Sequence, residues 1–458
     1  MALPVTDVDL LGVARRVADD ARAGEQVEAY VLRSRDVDVK VFGGEVESLA
    51  VAEVEGVGVR VIIDARQGYA WAGSLDADVI AETVAEARDN AAFGAPDDSY
   101  ALAAPDDTKG VDVAMLDLWR DDVLRVPTAA KVALALELEA ATLGADARVR
   151  GVESASYGDA AVEAAVANSL GVEASTRRTV CSCSAFAMAG EGTATQTGSG
   201  FSAGRSFAEL DAEVAARDAA DRAVRLLGAR PIPSARLPVV FDPLVTRSVL
   251  ALLGSALSGE AIVKGRSLFV GHEGETVAGP DVTLVDDPTL DAAFGAATHD
   301  AEGVPTRRVE LLSAGRFDAV LHNLSTARRA GGDARTTGSA VRGGFKSPPG
   351  VGARALYLVP GLKSAEEILA AMPYGLYVQS VSGLHSGTNP VSGDFSVGAV
   401  GLVVRDGAFA EPVREVTVAS TLQRMLHDIV HVGADLTWLP GGAAGMTLLV
   451  GEMSVSGT

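Results

Sequence analysis

His427 and His431, in His427-Asp-Ile-Val-His431, have the i, i+4 spacing that sets two imidazoles on one helix face, with Asp428 where a zinc hydrolase carries its glutamate. Such a pair, with His385 or His322 as a third ligand, could hold a metal for hydrolysis. Aspartate is one methylene shorter than glutamate and would reach a metal-bound water poorly; two incidental histidines on a solvated or interface face give the same pattern. Asp300 and Glu302 could be a carboxylate pair beside a peptide groove, or could cap a turn before a strand over 308–312. Between 328 and 354 stand Arg328, Arg329, Arg335, Arg342, Lys346 and Arg354 against a single acid, Asp333, among many glycines. That composition reads as a mobile basic loop meeting a substrate carboxylate or a partner chain, or as a solvated surface loop. Thr388, Asn389, Ser392, Asp394 and Ser396 precede a buried strand, where an open edge could take up an extended peptide. They could equally satisfy the turn's own backbone groups. His272-Glu273 lies between Gly271 and Gly274 and reads as a turn, and no phosphate-binding glycine loop or nucleophile elbow occurs in a convincing setting.

The elements that must position these residues follow from periodicity. A helix over about 7–23 leads into alternating runs Val37-Val39-Val41 and Val57-Val59-Val61-Ile63, with Gly43-Gly44 as the hairpin turn, and a second helix spans about 76–92. The order recurs: a helix over 128–143, strand-like runs at 149–157, 160–167, 171–181 and 183–189, and a long helix over 207–227 ending at Gly228. The expected fold is α+β. An N-terminal domain over 1–230, in halves of about 1–125 and 126–230, shares a mixed sheet flanked by helices. Pro231, Pro233 and Pro238 mark a linker over 231–238. Beyond it, 239–458 reads as mostly β and barrel-like, with helices at 243–263, 364–372 and 420–432, the second opened by a Ser364/Glu367 capping box. Residues 397–404 form a strand buried on both faces, and Arg405-Asp406-Gly407 turns it into the next.

Composition narrows the function. A chain of 458 residues exceeds one core. The formal net charge of −22 repels phosphate backbones and anionic lipid, so nucleic-acid and membrane binding are not expected. Cys181 and Cys183, the only cysteines, alternate on one strand face and cannot easily bridge each other, which leaves no disulfide framework and no thiolate zinc site. The opening Met-Ala-Leu-Pro-Val has no basic segment before an apolar core, and no apolar run approaches the ~18 residues of a spanning helix. A cytoplasmic protein is expected.

The stretch from Gly387-Thr-Asn-Pro-Val-Ser-Gly-Asp-Phe-Ser to Glu411-Pro-Val413 resembles the C-terminal signature of the TldD/PmbA peptidase family, in particular its TldE (PmbA) branch. Asp300-Ala-Glu-Gly-Val-Pro-Thr-Arg-Arg308 resembles the family's acidic-Gly segment, Thr336-Thr-Gly-Ser-Ala-Val-Arg342 its Gly-rich loop, and 422–435 its closing helix. TldD-like members carry His-Glu-x-x-x-His on the helix after the linker, followed by Ser-x-Phe. Counting back from Ser267-Leu268-Phe269 places Leu250, Ala251 and Ser255 where those ligands and base would stand. TldD-like members also bring a C-terminal cysteine to the metal, and 436–458 contains none. The resemblance therefore implies a subunit without catalytic residues, metal or cofactor of its own. It would pair with a TldD-like zinc-bearing chain in a heterodimer that degrades or matures unfolded or short peptides. The expected substrate-binding residues are Asp300, Glu302, Arg335, Arg342, Asn389 and Asp394. The alternatives are a partner-independent binding or assembly protein, or an independent metallohydrolase using His427 and His431.

Overall fold

A computed structural model describes residues 8–458; the opening segment 1–7 and its leader reading, with Asp7 at the expected helix start, lie outside the described residues. The first helix runs Leu10–Asp19, with the Asp9 carboxylate accepting the Gly12 N–H at its N-terminus. Strands β1 (Gln26–Phe42) and β2 (Glu45–Ile63) turn at Gly43-Gly44, both with positive φ, and β3 (Arg66–Ala72) follows. The runs on either side of Gly158 and of Ser182 are not separate strands. They are the continuous β4 (Val149–Asn168) and β5 (Glu173–Ala189), followed by β6 (Gln196–Gly204).

These strands form one sheet in the order β3-β2-β1-β4-β5-β6. Every pairing in it is antiparallel, so the sheet is not the mixed one expected. Alternation decides what each face carries. Val27, Ala29 and Val31 of β1 share a core with the helices Leu10–Asp19 and Ala77–Phe93, and Val37, Val39 and Val41 share one with Thr128–Gly144 and Ala212–Val224. The last of these is shorter than the expected 207–227. Phe207–Glu209 is a separate turn, and Asp211 caps the helix by accepting the Val214 N–H. Cys181 and Cys183 lie buried and unbridged on this helix-covered face, their thiols pushed up to about 12 and about 11 by burial. Even positions, Glu28, Tyr30, Leu32, Ser34 and Asp36, face the other way, toward the C-terminal half.

That half begins inside the Pro-rich stretch, with β7 (Ala235–Phe241). A second sheet contains β8 (Leu284–Asp286), β9 (Val309–Ser313), β10 (Arg316–Phe317) and later β13 (Leu356–Leu358); β11 (Ala340–Val341) pairs β12 (Gly350–Val351). Strands β14 (Tyr374–Ser382), β15 (Asp394–Arg405), β16 (Ala408–Thr421), β17 (Ile429–Val432) and β18 (Leu448–Ser456) complete the chain. The order β16-β15-β14-β7-β18, closed by pairing of β16 with β18, makes a five-stranded barrel. Phe241, Val378, Phe395, Val397 and Val418 are among its fully buried side chains. Among the described residues no helix is long and apolar enough to cross a membrane.

Candidate functional site

The helix Pro243–Ala256 follows β7 directly, its N-terminus capped by Asp242, which accepts the Leu244 N–H and pairs with Arg222 at 2.6 Å. Val245, Val249, Leu250 and Leu253 bury one face in the barrel-side core. The opposite face, Arg247, Ala251, Gly254 and Ser255, lines a cavity of about 660 Å³ whose far wall includes Asn323 and residues 348–353. Of the three positions compared with a zinc motif, Ala251 and Ser255 reach this cavity, whereas Leu250 is 1% exposed and belongs to the core. The Ser255 hydroxyl donates to the Ala251 carbonyl at 3.0 Å, and so serves the helix itself. Methyl, isobutyl and a neutral hydroxyl are no donor set for zinc, so the metal that TldD-like members hold on this helix does not fit the residues present. Among the described residues no group of three or more His, Cys, Asp or Glu stands together to hold one.

The His427/His431 pair does not share a helix face. The expected helix over 420–432 is the short Leu422–His427, and His431 lies on β17 beyond the capping residue Asp428. The β-branched run Ile429-Val430 favours the strand. The His431 Nε2 sits 2.7 Å from Lys363 Nζ; burial first, and then the Lys363 charge, hold its pKa below the ordinary value. His322 contacts Thr326 Oγ1 at 3.1 Å, and His272 pairs with Glu275 at 2.7 Å on an exposed turn.

The other predicted residues converge in part. Glu28 and Arg60 are cross-strand partners on the even face, joined at 2.7 Å. Arg60 also reaches Glu302 at 3.4 Å, and Glu28 accepts from Arg342 with its second oxygen. Glu28, Arg60 and Glu302 are at most 3% exposed. Burial pushes the Glu302 carboxyl upward and Arg60 opposes it. Asp300 accepts N–H groups from Glu302, Val304 and Ala340 at 2.9, 3.0 and 3.0 Å, which fixes the turn that presents Glu302. Arg342 and Arg354 turn inward, and Arg329 pairs with Asp97 at 2.6 Å, so the basic stretch is pinned rather than a free loop. Arg335 is exposed, and among the described residues its hydrogen bond is to its neighbour's carbonyl at 3.1 Å; Arg328 and Lys346 are exposed as well.

Asn389 and Asp394 stand apart from this cluster. The Asn389 Oδ1 accepts the Val391 and Ser392 N–H groups, and Asp394 accepts the Ser392 hydroxyl at 2.6 Å, so both shape the turn. The strand they lead into, β15, is paired on both sides within the barrel and offers no open edge for strand addition.

A second cavity, of about 730 Å³, opens between the even face of the N-terminal sheet and the segments 296–301 and 342–347. Tyr30, Arg178, Asp300, Arg342 and Arg354 line it. The buried ions separate it from the cavity beside Ala251, with Arg60 lining that first cavity and Arg342 the second. Glu28 and Arg60 were not singled out from sequence. The visible signal was a charge set between buried apolar neighbours, Glu28 between Val27 and Ala29 and Arg60 between Val59 and Val61.

Three family models match the chain, all of the PmbA/TldA metallopeptidase: domain 1 at residues 27–91, the central domain at 121–227 and the C-terminal domain at 234–457. Metalloprotease PmbA of Escherichia coli O157:H7 is 27% identical over the full length of both chains. The PmbA homolog of Haemophilus influenzae is 26% identical over 95% of this chain and 93% of that one. Among solved structures, a candidate modulator of a DNA gyrase from Thermotoga maritima superposes with a TM-score of 0.86, at 26% identity and 98% coverage of each chain. TldE from Thermococcus kodakarensis, at 21% identity, has a TM-score of 0.87 over 98% of this chain and 99% of that chain, a likeness of fold.

Proposed function

The chain belongs to the TldD/PmbA metallopeptidase family, and within it we propose the role of the subunit without zinc in a two-chain peptidase of TldD/TldE type. The observation that carries this reading is the helix Pro243–Ala256, whose cavity face offers Ala251, Gly254 and Ser255 and no ligand or general base. A TldD-like partner would hold zinc, which polarises the scissile carbonyl and lowers the pKa of a bound water. This chain would bind and orient unfolded or short peptides, and exclude water around them. Its own residues would move no proton in the hydrolytic step. A metallohydrolase built on His427 and His431 is disfavoured, because the two side chains stand on different elements.

The test measures zinc by elemental analysis in the chain purified alone, and peptidase activity alone and mixed with a chain carrying His-Glu-x-x-x-His. Little metal and no activity alone, with cleavage appearing on mixing, is the expected result. About one tightly held zinc per chain, or hydrolysis without a partner, would overturn the proposal. Failure of every such partner to restore cleavage would favour a binding or assembly protein of the same fold.

A further inference from the structure

We propose that the cavity of about 730 Å³ is a carboxylate site, and that Arg342, Arg354 and Arg178 take the free C-terminus of a peptide there. The inference rests on the reading of this chain as a peptide-binding subunit.

The first ground is unsatisfied donors. The Arg342 side chain is 1% exposed and its Nη2 pairs with Glu28, yet its Nε and Nη1 have no hydrogen-bond partner among the described residues. The Arg354 Nη2 donates to the Ala340 carbonyl at 2.7 Å, and its Nε is also without a partner. Buried guanidinium donors left unmade are costly, and here both side chains border a cavity that can supply an acceptor. Tyr30 lies under Arg342, its ring centroid 4.8 Å away, and holds the fork in place.

The second ground is charge. In a chain of net charge −22, Arg177, Arg178, Arg342, Lys346 and Arg354 line this one cavity, against Asp36, Asp117 and Asp300. Those three acids are engaged elsewhere. Asp300 is held by its backbone N–H groups, Asp117 pairs with Arg120 at 2.6 Å, and Asp36 accepts from Ser34 at 3.1 Å. Arg178 is exposed on β5, opposite Val162 of β4. Burial holds the Arg354 guanidinium below its usual range, Asp300 opposes this, and the Arg178 charge lowers it further. An anion entering between them would relieve that repulsion.

The third ground is shape. Forked guanidinium groups suit a planar two-oxygen acceptor. Leu32, Val54, Leu116 and Val162 stand on the same walls, so an apolar side chain fits beside the anion. A carboxylate next to an apolar side chain is the end of a peptide; inorganic phosphate lacks the second feature.

The experiment titrates the full chain with acetyl-Ala-Leu-Leu bearing a free C-terminus, and with the same peptide amidated, by calorimetry. The free acid should bind about tenfold to a hundredfold more tightly, the range of one or two charge-assisted hydrogen bonds. Arg342→Lys, which keeps a cation for Glu28 but loses the fork, should abolish most of that difference. Arg178→Glu, at an exposed position, should do so too, and it decides the matter if the buried variant does not fold. Equal binding of acid and amide, or binding of neither, would overturn the inference. So would inorganic phosphate binding more tightly than the free acid. Equally fast cleavage of acid and amide by the mixed chains would sink the carboxylate site and leave the two-chain peptidase standing. Selective acid binding without partner-dependent cleavage would do the reverse.

Discussion

At the scale of single residues, the ionised groups inside this protein are held at different costs. Asp286 accepts the Arg354 and Ala355 N–H groups, at 2.9 and 2.6 Å, yet burial still pushes its carboxyl up to about 6 from 3.8. The folded state therefore holds this proton more tightly than the unfolded one. Its stabilising share is complete below about pH 4 and is lost as pH rises through about 6. Asp286→Asn keeps an acceptor oxygen and cannot titrate. Relative to the unaltered chain it should gain about 3 kcal/mol between pH 4 and pH 7, from about 1.4 kcal/mol per pH unit, measured by urea unfolding at both values. A difference constant with pH would place the carboxyl in water. Glu28 behaves oppositely. Burial would raise its pKa, but Arg60 and Arg342 outweigh it and hold it low, so Glu28→Gln takes the carboxylate from Arg342 and leaves Arg60 with Glu302 alone, and should cost about 3–5 kcal/mol in the same assay. Asp300, Glu302 and Arg342 were named from the sequence; Glu28 and Arg60 were not. Arg60 lies 242 residues from Glu302, and Glu28 lies 314 from Arg342, and no local pattern encodes such a meeting.

At the scale of elements, period and capping carried most of the fold, and they failed where a competing local signal was stronger. The helices at 77–93 and 128–144 stand within about a residue of expectation, since their apolar spacing has no interruption. Gly158 was read as a break, yet β4 runs straight through it because neighbours pair on both sides. The closing helix stops at His427, and with that the most tempting metal pair in the sequence dissolves. The helix Pro243–Ala256 invites the sharpest test. Grafting Leu250→His, Ala251→Glu and Ser255→His writes the zinc motif into the chain, but residue 250 faces Leu253, Val249 and the barrel-side core. The graft should lose about 3 kcal/mol or more in denaturant unfolding, from a lost apolar contact plus a buried imidazole. Elemental analysis after dialysis should find no retained zinc. One bound equivalent, with stability unchanged, would show that the helix turns its other side to the cavity.

At the scale of the molecule, the cavities lie where the antiparallel N-terminal sheet meets helices and loops of the C-terminal half through a few close contacts. One is β2 against the segment 343–347. The Tyr69 hydroxyl donates to the Phe345 and Ser347 carbonyls at 2.7 and 3.0 Å, across strand positions that carry Gly56 and Gly58. A Cβ on Gly58 would lie 2.1 Å from the Tyr69 hydroxyl and 2.3 Å from the Phe345 carbonyl, too near for either to stay. Alanine is otherwise the better strand residue on entropy grounds, so any loss on substitution reports the contact between the halves. Gly58→Ala should cost about 1–3 kcal/mol and displace the segment that carries Arg342. Calorimetry should then show the N-terminal sheet and the barrel melting apart, where a single transition is expected of the unaltered chain. Gly73→Ala is the control, because a Cβ there has only a carbonyl at 4.0 Å for company and should change little. If Gly58→Ala also melts once at an unchanged temperature, β2 does not bear on residues 343–347 in solution. If it melts in two steps but still prefers the free peptide acid, Arg342 holds its place through Glu28 alone, and the ions rather than the glycine contact position the cavity wall.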